Sequence, residues 1–140
     1  MGEVDFLVGR TISELRYSAP SNFRMVFDAG DQVEPGLYAD LGPFSYVERE
    51  GTTHRIVPDN PATVGPALTT LGRSVDFATV EDGVLTLMFS DASQVRCEPN
   101  DLYEAWQVVR GVPQHLVVCA PSGELAVWDD MSDLAPTEDS

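Results

Sequence analysis

An internal repeat with a spacing of sixty-two to sixty-three residues constrains the fold of this chain more than any other feature of its sequence. The matched segments are Gly9-Arg10-Thr11-Ile12 with Gly72-Arg73-Ser74-Val75, residues 25–29 with residues 87–91, and Gln32-Val33 with Gln94-Val95. Similarity at a fixed spacing is typical of a supersecondary unit that occurs twice in one chain. We therefore predict an internal pseudo-repeat that comprises about residues 9–57 and 72–118.

A weaker match, at a spacing of sixty-one residues, sets residues 53–57 beside residues 114–118. This match places the two histidines of the chain, His54 and His115, at equivalent positions. A metal pair or an acid–base pair is one interpretation. Neither histidine has a local motif such as H-E-x-x-H, however, and a histidine gains catalytic meaning from its neighbours. We therefore favour half-exposed strand positions for both.

Short apolar or alternating runs, separated by turn residues, predict that both copies are built from β-strands. Asp82-Gly83 predicts a tight turn, because this pair readily adopts the positive φ angles of a two-residue hairpin. The predicted strands are Thr11–Tyr17, Phe23–Phe27, a strand at Gln32-Val33, Phe44–Arg49, Thr53–Val57, Val75–Val80, Val84–Phe89, Gln94–Cys97, Tyr103–Arg110, His115–Cys119 and Glu124–Trp128.

One helical segment, Pro61–Leu71, is predicted between the two copies. Its apolar residues recur at helical spacing, and they are Val64, Ala67, Leu68 and Leu71. Asp59-Asn60 offers an N-cap and Gly72 a helix exit. Because Pro66 lacks a backbone N–H, the regular part of the helix is expected to begin near Thr63.

These elements predict a mainly antiparallel β protein of the α+β class. Two related β-meander units form a twisted sheet or a partly closed barrel, with one short helix between them. The chain has 140 residues, so we expect a single globular domain over residues 1–128. Residues 129–140 are acidic and contain few apolar groups, which predicts a disordered tail.

The formal net charge of −15 limits the partners of this chain. Without the tail, 8 basic residues still face 18 acidic ones, so the folded region is acidic as well. We expect no nucleic acid and no membrane as partners, because phosphate groups bind to basic surfaces. Since the sequence shows neither a membrane-spanning run nor a secretion signal, we expect a cytoplasmic protein.

The cysteines and the catalytic motifs point away from metal and covalent chemistry. Cys97 and Cys119 lie in predicted strands with apolar neighbours, so burial in the core is the expected role and a disulfide is not expected. The chain contains no lysine and no nucleophile signature such as G-x-S-x-G. We therefore expect no cofactor, no metal and no catalytic residue.

The most distinctive segment is Tyr103-Glu104-Ala105-Trp106. If this segment is a strand, Glu104 and Trp106 point to the same face, and a carboxylate would lie beside an indole. Packing in the core is one role for these aromatics. A binding surface is the other, because aromatic residues frequently anchor interfaces. The candidate binding residues are therefore Tyr103, Glu104 and Trp106, with His115 added in the case of a pocket.

At these residues the chain resembles a family of small proteins, mainly from actinobacteria, that carries a domain of unknown function. The family shows a Tyr-Glu-Ala-Trp stretch and a C-terminal Gly-Gly-Glu-Leu-Ala-Val-Trp motif. The matching segments are Tyr103–Trp106 and Ser122–Trp128, with Ser122 in place of the first glycine. The resemblance covers roughly residues 7–128 and implies no reaction, cofactor or catalytic residue.

Three functions remain open at this level. The leading hypothesis is a non-enzymatic, acidic protein-interaction domain, similar to an immunity or inhibitor protein that binds a basic partner. The alternative is a small-ligand-binding β domain, or an enzyme, with a pocket near Trp106, Glu104 and His115. A homo-oligomeric structural module is the third.

Overall fold

The computed structural model describes residues 3–18, 22–28, 37–102, 104–110 and 115–129, which form eleven strands in two antiparallel sheets. The strands are β1 (Thr11–Ser18), β2 (Asn22–Asp28), β3 (Tyr38–Leu41), β4 (Phe44–Val47), β5 (Thr53–Ile56), β6 (Val75–Glu81), β7 (Val84–Phe89), β8 (Gln94–Cys97), β9 (Trp106–Arg110), β10 (His115–Cys119) and β11 (Leu125–Asp129). The prediction of a mainly antiparallel β fold is confirmed.

The order of the strands shows that the two copies of the repeat are interlocked. The six-stranded sheet has the order β1-β2-β3-β9-β10-β11, and the five-stranded sheet has the order β5-β4-β8-β7-β6. We call β1–β5 unit 1 and β6–β10 unit 2. In each unit the first three strands form a meander in one sheet, and the last two form a hairpin in the other sheet. There the hairpin pairs with the meander of the other unit.

The hydrogen-bond register agrees between the two units. Both meanders have a bulge at the same place, between Ile12 and Glu14 in unit 1 and between Val75 and Phe77 in unit 2. A bulge re-aims the strand locally, so its presence at equivalent positions is a specific feature of both units. The first two strands of each meander correspond at the spacing of the sequence repeat.

The two units meet at a junction where equivalent residues exchange hydrogen bonds. Thr11 and Ser74 form an isolated antiparallel bridge. On either side of this bridge the bonds come in symmetric pairs. Gly9 N–H donates to Val75 O as Gly72 N–H donates to Ile12 O, and Ile12 N–H donates to Arg73 O as Val75 N–H donates to Arg10 O. A local twofold axis therefore passes between Thr11 and Ser74.

The third strand of unit 1 departs from the sequence alignment. Tyr38–Leu41 pairs with β2 as Gln94–Cys97 pairs with β7, at a spacing of fifty-six residues. The sequence analysis missed β3, because the sequence between β2 and β3 is longer than the turn between β7 and β8, and the repeat spacing of sixty-two residues therefore does not reach β3. The predicted strand at Gln32-Val33 lies outside the described residues.

The helical prediction is only partly right. Pro61–Thr63 and Gly65–Thr70 form two 3₁₀ helices in place of one α-helix, which is consistent with the missing N–H of Pro66. Of the predicted cap residues Asp59 and Asn60, Asn60 is the N-cap, because its side chain accepts a hydrogen bond from Ala62 N–H. Of the predicted apolar residues, Val64 and Ala67 are buried, whereas Leu68 and Leu71 are exposed.

One apolar core joins the inner faces of both sheets. Phe23 on β2 and Phe44 on β4 pack with ring centroids 5.4 Å apart, which places the two sheets face to face. The predicted tight turn is present, because Asp82 and Gly83 both have positive φ angles. Within the described residues, no helix is long and apolar enough to span a membrane. The predicted tail lies outside the described residues from residue 130 onward.

Candidate functional site

Trp106 is a core residue. Its side chain is only 2% exposed, and its indole N–H donates a hydrogen bond of 2.9 Å to the carbonyl oxygen of Gly83. This bond ties the start of β9, in one sheet, to the β6–β7 turn of the other sheet. The indole therefore satisfies a buried polar group while it fills the core.

The turn that receives this bond packs closely against the segment before β11. A Cβ atom on Gly83 would lie 2.8 Å from Gly123 Cα, so no side chain fits there. The Cys119 thiol also contacts the Gly83 carbonyl oxygen, at 3.4 Å. Trp106 and Gly123 belong to the two distinctive sequence motifs, and both contact Gly83. We call this set of contacts the Trp106–Gly83 joint.

The predicted common face of Glu104 and Trp106 is wrong. β9 begins at Trp106, and the residues before it do not alternate, because Ala105 and Trp106 are both buried while Glu104 is exposed. The carboxylate therefore does not lie beside the indole. Tyr103, the remaining residue of this candidate set, lies outside the described residues.

His115 begins β10 and lies beside the end of β9 that is opposite to Trp106. In the register of β9 and β10, His115 pairs with Arg110 and Trp106 pairs with Cys119. Four residues of strand separate the two positions, a distance of roughly 13 Å. The His115 Nε2–H donates to the carbonyl oxygen of Glu3 at 3.2 Å, and its ring contacts Phe6 edge to face. Trp106, Glu104 and His115 therefore do not converge on one pocket.

The two histidines are not equivalent, contrary to the match at sixty-one residues. His54 pairs with Tyr46 on β4, and the corresponding pair in unit 2 is Val108 with Val117. His115 instead lies two residues before the position that corresponds to His54. The hairpins β4–β5 and β9–β10 therefore correspond at sequence spacings of sixty-two and sixty-three residues, as the first two strands of the meanders do.

Both cysteines are buried and free, as predicted. Burial raises the pKa of the Cys97 thiol to about 12 and also raises the pKa of Cys119. Both thiols are therefore protonated at neutral pH and weakly reactive. Among the described residues, no group of three or more His, Cys, Asp or Glu side chains could hold a metal ion.

Sequence reasoning missed a polar cluster at one end of the core. We call it the Tyr46–Arg73 cluster, and its members are Tyr46, Glu48, His54, Thr69, Arg73, Asp91 and Ser93. Arg73 donates from Nη1 to the Tyr46 hydroxyl and, over 2.9 Å, to Ser93 Oγ, while its Nε lies 3.3 Å from Asp91 Oδ2. Tyr46 and Ser93 are almost completely buried.

The exposed edge of this cluster carries ionisable groups. His54 Nε2 lies 2.5 Å from Glu48 Oε2, and the His54 ring stacks on Tyr46 with centroids 6.0 Å apart. Burial favours protonation of Asp91, but hydrogen bonds from the Ser93 hydroxyl and amide, with the charge of Arg73, outweigh it and hold the pKa of Asp91 below its usual value. The cluster thus combines buried hydroxyls with charged groups open to solvent.

Several polar residues at this end of the core correspond to apolar residues in the other half of the molecule, whereas Arg73 corresponds to Arg10 and Glu48 to Arg110. The register of strands and turns equates Tyr46 with Val108, His54 with Val117, Ser93 with Leu37, Thr70 with Leu7, and Thr69 with Phe6. The fold therefore accepts apolar side chains at these positions. The buried polar residues among them, Tyr46, Ser93 and Thr70, must be hydrogen-bonded to avoid a cost of about 1–3 kcal/mol each, and all three are.

The outer face of the six-stranded sheet carries a row of apolar and aromatic residues. We call it the outer row, and it comprises directly paired residues on five adjacent strands: Val26, Tyr38, Val109, Leu116 and Trp128. Side chains at paired positions lie side by side on one face. The first four are half-buried, and Trp128 is 38% exposed at the sheet edge.

Beside the outer row the sheet is polar and internally neutralised. Arg24 binds Asp40 through two hydrogen bonds of 2.6 and 3.0 Å, and its guanidinium lies 3.8 Å from the centroid of the Tyr38 ring. The bond to Asp40 raises the pKa of Arg24. Gln107 donates to the same carboxylate at 2.9 Å. Tyr38 is thereby held in place on a face whose local charges are already paired.

A comparison with known protein families adds one assignment. The model of a family of unknown function, DUF6188, matches residues 41–129. The chain belongs to the DUF6188 family. No curated protein and no solved structure matches the chain. The DUF6188 match contains the Trp106–Gly83 joint, the whole Tyr46–Arg73 cluster, and three residues of the outer row: Val109, Leu116 and Trp128.

Proposed function

We propose that this chain is a non-enzymatic protein-interaction domain that binds a basic protein, in the manner of an immunity or inhibitor protein. The outer row is the contact surface in this proposal. The observation that carries it is the unbroken line of apolar and aromatic side chains across five strands, which ends at the exposed indole of Trp128.

The residue types in the outer row suit an interface. Tyr and Trp are enriched among the residues that contribute most to binding energy, and they lose little side-chain entropy on association. Tyr38 is already fixed by Arg24, so its ordering adds little further cost. Tyr38 lies between Val26 and Val109, and Leu116 lies between Val109 and Trp128, so apolar side chains adjoin both aromatics and can exclude water from the contact.

Charge has a separate role in this proposal. The carboxylates beside the outer row are paired within the protein, as in the Arg24–Asp40 and Arg16–Glu14 ion pairs. The net charge of −15 acts instead at long range and attracts a basic partner. We therefore expect the charge to set the association rate and the outer row to set the dissociation rate.

The test is a kinetic comparison of two exposed aromatics with a partner isolated from the source organism. Trp128→Ser removes the indole of the outer row, while Phe77→Ser removes a more exposed ring from the outer face of the other sheet. We expect Trp128→Ser to raise the dissociation rate about tenfold or more, as for a residue worth at least 1.4 kcal/mol. Phe77→Ser should leave it unchanged, and the association rate should fall as salt rises.

Two results would contradict the proposal. Equal effects of Trp128→Ser and Phe77→Ser on the dissociation rate would show that the outer row is not the interface. An association rate that does not change with ionic strength would show that the acidic surface does not contribute to recognition. Unfolding curves of both variants must match the native curve, so that a loss of binding reports on the surface.

A second candidate function, small-ligand binding, is favoured by the Tyr46–Arg73 cluster. Its charged groups lie at the solvent-facing end of the core. They surround Tyr46, His54 and Ser93, which correspond to Val108, Val117 and Leu37 in the other half of the molecule. A polar small molecule would fit this donor and acceptor set better than an apolar one. Ligand-observed NMR with a polar metabolite extract tests this candidate. Ligand signals that are broadened by the native protein should be sharper with the Tyr46→Phe variant. Identical spectra with the two proteins would exclude the site.

Source and location belong to the same proposal. We propose an actinobacterial origin, on the motif resemblance at Tyr103–Trp106 and Ser122–Trp128, and a cytoplasmic location. Fractionation of the source cells, followed by immunoblotting, tests the location. Recovery from the medium or the envelope would contradict it.

A further inference from the structure

The two units of this fold are related as the subunits of an intertwined dimer are. Each unit forms one complete meander, and its hairpin pairs with the meander of the other unit. The pairs are β9 of unit 2 with β3 of unit 1, and β4 of unit 1 with β8 of unit 2. In these pairs Tyr38 faces Val109 as Gln94 faces Val47, so the two contacts have the same register. Together with the junction at Thr11 and Ser74, every strand pairing between the units occurs in two equivalent versions.

Only one stretch of chain connects the units. It runs from the end of β5 through the 3₁₀ helix Pro61–Thr63 to the packed 3₁₀ helix Gly65–Thr70, which precedes β6. Ala67 and Thr70 in that helix are buried, and they correspond to Val4 and Leu7 before β1. The connection that is free to change direction is therefore short and lies around residues 59–64. Residues 59–62 are exposed, Thr63 is half-buried and its Oγ1 accepts a hydrogen bond from Val57 N–H, and Val64 is buried. The exchange would therefore break the Thr63–Val57 contact.

We propose that two copies of this chain exchange halves to form a dimer, in which unit 1 of one copy is completed by unit 2 of the other. All pairings between the units would be kept, and only the segment around residues 59–64 would change its course. Exchange of identical elements is a low-cost route to dimers, because the contacts in the dimer are those of the monomer. The partner in this interaction is a second copy of the same chain.

Charge determines the conditions under which the exchange is expected. Two copies that each carry a net charge of −15 repel one another, which favours the monomer at low salt. Salt screens this repulsion beyond about 8–10 Å. Short, stiff hinges oppose closure within one chain, and Pro58 and Pro61 stiffen this one. The exchanged dimer should therefore appear after refolding at high protein concentration and high salt.

A cross-link at the junction tests the exchange in the full-length chain. The hydroxyl oxygens of Thr11 and Ser74 are 2.9 Å apart, so Thr11→Cys and Ser74→Cys place two thiols within disulfide range. When the two single variants are refolded together and mildly oxidised, an exchanged dimer brings position 11 of one copy to position 74 of the other. We expect a disulfide-linked heterodimer from the mixture and none from either variant alone.

Controls separate exchange from random oxidation and from misfolding. A mixture of Thr52→Cys and Thr79→Cys, both exposed and far from the junction register, should give no heterodimer above background. The Thr11→Cys/Ser74→Cys double variant, refolded when dilute, should cross-link within one chain and so verify the geometry. A double variant that cross-links while the mixture does not would overturn the proposal. Light scattering of the native chain refolded at high concentration gives a second reading, and a purely monomeric mass would also overturn it.

Discussion

The indole N–H of Trp106 and the carbonyl oxygen of Gly83 form a hydrogen bond of 2.9 Å that connects the two sheets of this protein. Trp106 begins β9 in one sheet, and Gly83 closes the β6–β7 turn in the other. Because both groups are buried, loss of either partner would leave the other without its bond in the core. This contact gives Trp106 a structural role and leaves the exposed Trp128 as the indole available for recognition.

Substitution of the two tryptophans should therefore have opposite consequences. Trp106→Phe removes the donor to Gly83 O and leaves a cavity, so we expect the free energy of unfolding to fall by about 2–4 kcal/mol. Trp128→Phe should change it by less than about 0.5 kcal/mol, as for an exposed position. Denaturant unfolding measures both. A larger effect at Trp128 than at Trp106 would contradict the assignment.

The Gly83–Gly123 approach can be tested with two glycines that differ in their surroundings. Gly83 and Gly51 both have positive φ angles, but an added Cβ meets Gly123 Cα at 2.8 Å only at Gly83. Gly51→Ala should cost about 1 kcal/mol from backbone strain alone. Gly83→Ala should cost at least about 1 kcal/mol more, as overpacking does. Equal melting temperatures for the two variants would show that the close approach is unimportant.

The Tyr46–Arg73 cluster makes a prediction about acid stability. The lowered pKa of Asp91 means that the folded state prefers its carboxylate, so Asp91 stabilises the fold above its ordinary value of 3.8 and loses this effect as pH falls through the lower, folded-state pKa. Asp91→Asn should therefore reduce stability at pH 7 and make little difference near pH 2. Urea unfolding across this range provides the measurement.

Asp76→Asn is the matched control for net charge, because Asp76 is exposed on β6. It should reproduce any general charge effect without the loss at pH 7 that is specific to the cluster. If Asp91→Asn and Asp76→Asn give the same dependence on pH, the hydrogen bonds from Ser93 and the charge of Arg73 do not stabilise the fold through Asp91.

The sequence predicted much of the fold because local patterns determine much of it. The repeated Gly-Arg entry before β1 and β6 reflects a shared backbone conformation, since Gly9 and Gly72 have φ angles of +86° and +88°. The Asp82-Gly83 turn followed from turn chemistry alone. The pairing of each hairpin with the meander of the other unit could not be predicted from the sequence. Which strands become neighbours in a sheet depends on tertiary packing rather than on local pattern.

The candidate site was harder to predict for the same reason. The alternation rule placed Glu104 beside Trp106, but it holds only within a strand, and β9 begins at Trp106. The residues of the outer row lie on β2, β3, β9, β10 and β11, so no contiguous sequence motif predicts this surface. The closing Trp128 was singled out in the sequence, whereas Tyr38 could be found only once β3 was known.

Side-chain footprinting of the complex tests the central claim most directly. Hydroxyl-radical labelling compares the reactivity of Trp128, in the outer row, with that of Phe77, on the outer face of the other sheet, in the free protein and with saturating partner. The account predicts that labelling of Trp128 falls strongly on binding while labelling of Phe77 is unchanged. Unchanged labelling of Trp128, with protection of Phe77 in its place, would contradict it.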